Sequence, residues 1–135
     1  MKLTLAYGLA LTFFLVLDGI WLGYLAKDLY LSRMAPIMLE RPRLGVAALF
    51  YIAFVAGLLY FVIAPALASG DWRGAALNGA LFGFFAYLTY DATGYAVIRG
   101  FDPALAVVDV IWGSFLAATV SGLTVRALHV LGTSS

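Results

Sequence analysis

Three aspartates lie inside apolar stretches of the chain, where a side chain that can carry charge is costly. Asp18 lies in LDGIWLG and Asp109 in VDVIWGS, so both belong to the same Asp-x-Ile-Trp pattern, and Asp91 follows Tyr90 in a third stretch. On insertion scales an acid near the middle of a membrane helix costs about 2.5–3.5 kcal/mol. Acids kept in such places are candidates for proton transfer, for general acid–base catalysis, or for holding the polar group of a ligand.

The composition points to a membrane-embedded chain. Of its 135 residues, 64% are hydrophobic and 11% are charged, which leaves too few polar side chains to cover a soluble domain of this size. There is no cysteine, which excludes disulfides, thiolate metal sites and cysteine nucleophiles. The formal net charge is +1 and no basic cluster is present, so we expect no nucleic-acid partner.

Four apolar runs of 23 to 25 residues divide the chain. They are residues 3–25, 44–67, 75–98 and 104–128. About 20 helical residues cross a hydrocarbon core of about 30 Å, and backbone groups in lipid must be satisfied within their own segment. The sequence therefore predicts an all-α fold, a four-transmembrane-helix bundle that forms a single integral membrane domain over residues 1–135. The first run is longer than a signal-peptide core, and we expect it to remain as a helix.

The linkers differ in character. Residues 26–43 mix charged and apolar side chains, which fits a short interfacial helix in the headgroup region or a partly ordered polar loop. Asp102 and Pro103 have the residue types of a helix N-cap and first helical position. The membrane side that holds residues 26–43 carries five basic residues, and the opposite side carries three. This excess favours the side of residues 26–43 as cytoplasmic.

The acids fall at one depth from one membrane face. With a rise of 1.5 Å per residue, Asp18 and Asp91 lie about 10 Å before their helices end. Asp109 and Tyr51 lie about 8–10 Å after theirs begin, at the same face. Because acids that face lipid are costly, we expect these side chains to point into the bundle, where they can share protons, bond to tyrosines or hold a ligand.

Aromatic residues share helix faces with the acids. Trp21 and Trp112 follow Asp18 and Asp109 by three residues, and Tyr87 precedes Asp91 by four. The two tryptophans also lie where an interfacial aromatic belt would run, which is the alternative explanation for them. The predicted ligand-binding set is Asp18, Trp21, Tyr51, Tyr87, Tyr90, Asp91, Asp109 and Trp112, and the candidates for acid–base catalysis are Asp18, Asp91 and Asp109.

Glycines are expected to shape the same region. Gly79 and Gly83 form a small-xxx-small pair that lets another helix approach closely. The glycines around the acids are expected to leave space there. They are Gly19, Gly23, Gly94 and Gly113.

No motif calls for a metal or a cofactor. The sequence has no His-rich metal motif, no phosphate-binding glycine loop and a single histidine, His129, on the side away from the acids. Three aspartates could bind a hard ion such as magnesium or manganese, but their spacing does not require one. We therefore predict neither, and no catalytic role for His129.

The order of these motifs resembles a family of small bacterial integral membrane proteins catalogued as a domain of unknown function. The motifs are LDGIWLG, LFYIAFVAGLLYFVIAPAL, YDATGYAVIRG and VDVIWG. The resemblance implies a four-helix membrane protein and draws attention to Asp18, Trp21, Tyr51, Tyr90, Asp91, Asp109 and Trp112. The chain departs from the pattern at Gly94 and Phe101, where the resemblance implies asparagine and tryptophan.

Three functions fit these observations. The first is a pocket that binds or transports a small amphiphilic or lipid-like metabolite, coupled to protons, in a bacterial inner-membrane, multi-pass protein. The second is a membrane-embedded enzyme or enzyme subunit of lipid modification. The third is a structural partner subunit whose acids pair with cations of another protein. Four spans are few for a transporter, so the first function implies a homodimer surrounded by membrane lipids.

Overall fold

The computed structural model describes residues 2–25, 28, 32 and 44–132, and every regular element within these residues is helical. The first helix runs over Lys2–Ile20 and continues as a wider π-helical turn, Trp21–Leu25. The second helix comprises Leu44–Leu58, a π-helical turn at Leu59–Ile63, and Ala64–Leu67; the third is Trp72–Val97 and the fourth is Pro103–Val130. The predicted all-α, four-helix class is confirmed. The interfacial helix predicted for residues 26–43 lies, apart from Asp28 and Ser32, outside the described residues.

Three of the four helices are long and apolar enough to cross a membrane, over Lys2–Tyr24, Gly45–Leu67 and Pro103–Val130. The third helix has 26 residues, which at 1.5 Å each is about 39 Å of helix. It is less apolar because it includes Arg73, Asn78 and several glycines. Gly79 and Gly83 face the fourth helix. The third helix is long enough to span a membrane, but its composition is typical of a helix that packs against a neighbouring helix.

Polar caps begin the third and fourth helices. The backbone N–H of Gly74 donates to Asp71 Oδ1 at 3.0 Å, and that of Leu105 donates to Asp102 Oδ2 at 2.8 Å, with Pro103 in the first turn. The cap predicted at Asp102 is therefore confirmed. Each capped turn follows a glycine with positive φ, 69° at Gly70 and 85° at Gly100, which favours glycine over other residues.

The third and fourth helices pack closely through small residues. A Cβ added to Gly79 would lie 2.6 Å from the Ala117 carbonyl oxygen, and one added to Gly83 would overlap the Gly113 carbonyl. The predicted close approach at the glycine pair is confirmed. This hairpin holds the residues around Asp91 and Asp109 at a fixed spacing.

The core of the bundle is apolar and lies between the first, second and fourth helices. Phe14 is fully buried and its ring lies 5.3 Å from that of Phe54. The largest of its other fully buried apolar side chains are Leu58, Ile63, Leu67, Leu116 and Leu128. This core fills the bundle on the side away from the acids.

Proline explains the widened turn of the second helix. Pro65 has no N–H to donate, and a proline ring clashes with the carbonyl four residues earlier. The helix adapts just before it, where the N–H of Ala64 donates to the Leu59 carbonyl, five residues back. The turn at Trp21–Leu25 has no proline, and it begins three residues after Asp18.

Candidate functional site

A cavity of about 620 Å³ lies among all four helices, at the end where the first helix widens. Its wall is mostly apolar and aromatic, with two carboxyl groups. The lining residues are Asp18, Trp21, Leu22, Val46, Ala47, Phe50, Tyr51, Ala86, Tyr87, Tyr90, Asp109 and Trp112. We call this the acid cavity.

The Asp18 carboxyl joins three helices at the wall of the acid cavity. Tyr51 Oη of the second helix donates to its Oδ2 at 2.9 Å, and Trp112 Nε1 of the fourth donates to its Oδ1 at 3.0 Å. Asp18 is only 6% exposed, so each of its oxygens has one neutral donor in a largely buried setting. These bonds fix the direction of the carboxyl, because each oxygen is held separately.

The two Asp-x-Ile-Trp motifs meet through their tryptophans. The rings of Trp21 and Trp112 stack with centroids 4.5 Å apart and planes within 7°. Trp21 is the first residue of the π-helical turn. Both tryptophans are partly buried and line the acid cavity. In the aromatic-belt alternative, they would instead face the lipid headgroups.

Asp109 lies at the centre of the polar groups. It is within electrostatic range of Asp18, Tyr51 and Tyr90, and its carboxyl lies close to that of Asp91. Asp109 is therefore the acid that lies near both Asp18 of the first helix and Asp91 of the third.

Asp91 occupies a different position from the other predicted residues. It is 2% exposed and borders a second cavity of about 430 Å³ between the third and fourth helices, whereas the other seven predicted residues line the acid cavity. Its Oδ2 has no hydrogen-bond partner among the described residues. The contact between Asp91 and Asp109 therefore forms part of the partition between the two cavities.

The glycines around the acids only partly leave space. The space beside Gly113 is filled by the ring of Tyr87, and that beside Gly94 by the ring of Phe101, which would lie 2.7 Å from an added Cβ. Gly19 and Gly23 have no neighbour within 4 Å among the described residues. The expectation of open space is therefore wrong at Gly94 and Gly113, because bulky rings of the same hairpin pack into it.

Gly94 and Phe101 are also the two positions at which the chain departs from the pattern it resembles. The two residues touch, so the small residue and the ring fit each other.

Sequence reasoning did not identify the apolar wall of the acid cavity. Ala47 precedes Tyr51 by four residues and Leu22 follows Asp18 by four, so both share a helix face with a predicted residue. That spacing could have found them. Phe50 and Val46 carry no comparable signal, because apolar residues surround them on every side of the helix.

The described residues show no metal centre. No group of three or more His, Cys, Asp or Glu side chains among them is arranged to hold a metal ion. Asp18 is bonded to Tyr51 and Trp112, and Asp91 lies beside Asp109.

Comparison with known protein families matches residues 3–126 to the family described as "Predicted membrane protein (DUF2177)". The chain belongs to this family. The match covers most of the chain and agrees with the resemblance carried by its motifs. No curated protein and no solved structure matches it. The family and the apolar helices identify a membrane protein, and its activity follows from neither.

Proposed function

We propose that the acid cavity binds a small amphiphilic or lipid-like metabolite and that the protein carries this molecule within or across the bacterial inner membrane. A volume of about 620 Å³ is within the roughly 300–1,000 Å³ of ligand pockets, which are usually apolar with a few placed polar groups. Residues from all four helices line it, so movement between helices would change access to it.

The observation that carries the proposal is the fixed carboxyl of Asp18 in an apolar and aromatic wall. Tyr51 and Trp112 hold both of its oxygens. A molecule with a polar head and an apolar body matches such a wall, because its body is removed from water while its head meets the carboxyl.

Proton coupling is part of the proposal, supported by the Asp91–Asp109 contact. A carboxylate can only accept a hydrogen bond, so a bond between these neighbouring carboxyl groups requires a proton between them. A ligand that enters beside Asp109 would change how strongly the two carboxyl groups hold that proton.

The same pair supports a second candidate, a membrane-embedded enzyme or enzyme subunit of lipid modification. A carboxyl pair that holds a proton near a cavity can act as general acid or base. Asp109 would then act on the ligand, since it lines the acid cavity, with Asp91 behind it. Turnover of a bound lipid would distinguish this candidate from carriage.

Four membrane crossings and a homodimer complete the proposal. The third helix supplies the fourth crossing in this arrangement, because its glycine face is covered by the fourth helix. A second copy would add membrane spans to the transport unit, because four spans are few for a transporter.

Native mass spectrometry of the detergent-extracted protein tests ligand binding. Ala47→Trp narrows the acid cavity, whereas Ala53→Trp, on the exposed face of the same helix, does not touch it. We expect an amphiphile to co-purify with the natural chain and with Ala53→Trp, and to be lost from Ala47→Trp. Equal occupancy in both variants, or none in the natural chain, contradicts the proposal.

A further inference from the structure

We infer that the ligand of the acid cavity is a cationic amphiphile, an organic ammonium group joined to an alkyl chain, held where the carboxyls of Asp18 and Asp109 meet the aromatic rings of the wall. This inference rests on the proposed function and names its ligand class.

The charge of the acid cavity is one-sided in the part of the chain that the structure describes. Two of its described lining residues are acids, and none is Lys, Arg or His. Asp18 is bonded to Tyr51 and Trp112, both neutral donors, which orient a carboxylate without supplying an opposite charge. The charged group acting on Asp18 from the fourth helix is Asp109, another acid.

The aromatic content of the wall supports the same ligand class. Six of the twelve lining residues carry rings: Trp21, Phe50, Tyr51, Tyr87, Tyr90 and Trp112. Aromatic faces attract ammonium groups, and rings grouped around a site are the usual means of recognising quaternary ammonium ligands. Carboxyls and rings together favour a cation more strongly than either does alone.

Other ligand classes fit the wall less well. A fatty-acid or phosphate head would face two acids, and no described lining residue could neutralise it. A neutral alcohol could donate to Asp18, but it would supply no positive charge to balance the carboxylates of the wall. A bare metal ion would need several closely grouped ligands, which the described residues do not provide.

Fluorescence titration with three probes of equal chain length tests the inference. In maltoside micelles, Trp72→Phe removes the only tryptophan outside the acid cavity, so the remaining signal comes from the stacked pair. The probes are decyltrimethylammonium, decanol and decanoate. We expect saturable binding of the cation at least 10-fold tighter than that of decanol, and no saturable binding of decanoate.

Charge variants complete the test. Asp18→Asn and, separately, Asp109→Asn should weaken cation binding about 10-fold or more and leave decanol binding within about 2-fold, while Asp71→Asn at the far end should change neither. Circular dichroism verifies folding, and either acid variant suffices if the other does not fold. Equal binding of cation and decanol, or tighter binding of decanoate, overturns the inference and leaves the proposed function standing. No saturable binding of any probe overturns both.

Discussion

Asp18 is the residue through which three helices contact one another at the site. Its two oxygens accept bonds from Tyr51 and Trp112, and an amide in its place has one oxygen to offer for two donors. Asp18→Asn should therefore lose one bond, at about 1–2 kcal/mol. We expect a slightly lower Tm in detergent with helicity retained, together with loss of the ligand. A variant of unchanged affinity would show that the carboxyl serves only to connect helices.

The control for Asp18 is Asp71→Asn. Asp71 is exposed and caps the third helix by accepting from the Gly74 N–H. Asparagine caps a helix about as well as aspartate, so neither stability nor binding should change.

Asp91 tests whether the acids carry protons. Asp91→Asn keeps the size of the side chain and removes the carboxyl proton on which the proposed coupling depends. We expect proton-linked uptake of the ligand into proteoliposomes to be abolished while the protein still inserts and folds. If uptake continues at the natural rate, Asp91 is a packing residue and the proton role is wrong.

At the scale of elements, the third and fourth helices form the tightest contact in the described bundle. An added methyl at Gly83 would overlap the Gly113 carbonyl and approach the Ala117 side chain at 2.8 Å. Gly83→Ala should therefore destabilise the protein by about 1–3 kcal/mol, the usual cost of overpacking. Unfolding in a denaturing detergent measures the change.

A matched glycine on the first helix provides the contrast. Gly8 is helical and has no neighbour within 4 Å among the described residues. Gly8→Ala should stabilise the helix by up to about 1 kcal/mol, because alanine is the better helix former. Equal effects at both positions would mean that helix propensity, and not the contact, governs the result.

The sequence predicts how deep a residue lies along its helix, but it does not predict the direction in which the side chain points around the helix axis. Counting residues from the ends of the apolar runs placed Asp18, Tyr51 and Asp109 at one level, where the structure has them close together. The same count could not show that Asp91 borders a second cavity, since depth does not tell towards which neighbouring helix a side chain points. The sequence also did not reveal the π-helical turn at Trp21–Leu25, because no proline lies in it or just after it.

At the scale of the whole molecule, the third helix decides the topology. Four crossings would put residue 69 and residue 131 on one side of the membrane and residue 99 on the other. If the third helix does not cross, residues 69 and 99 share a side. Because the chain has no cysteine, Ser69→Cys, Arg99→Cys and Leu131→Cys can be labelled singly with an impermeant maleimide in intact cells.

We expect Ser69→Cys and Leu131→Cys to label alike and Arg99→Cys to label oppositely. All three positions are exposed in the structure, so access to the reagent depends on the side of the membrane and not on burial. Matching labels at positions 69 and 99 would reject four crossings.

The bond between Asp18 and Trp112 joins residues 94 positions apart, and this separation has a consequence for biosynthesis. The first helix leaves the ribosome long before the fourth, so Asp18 enters the bilayer without the indole that later holds it. During that interval the acid raises the free energy of membrane insertion by at most about 2.5–3.5 kcal/mol, and the apolar remainder of the first helix must offset this cost. The acid cavity is complete only when the last helix arrives, and a nascent chain stalled before residue 112 would lack one of the two tryptophans that line it.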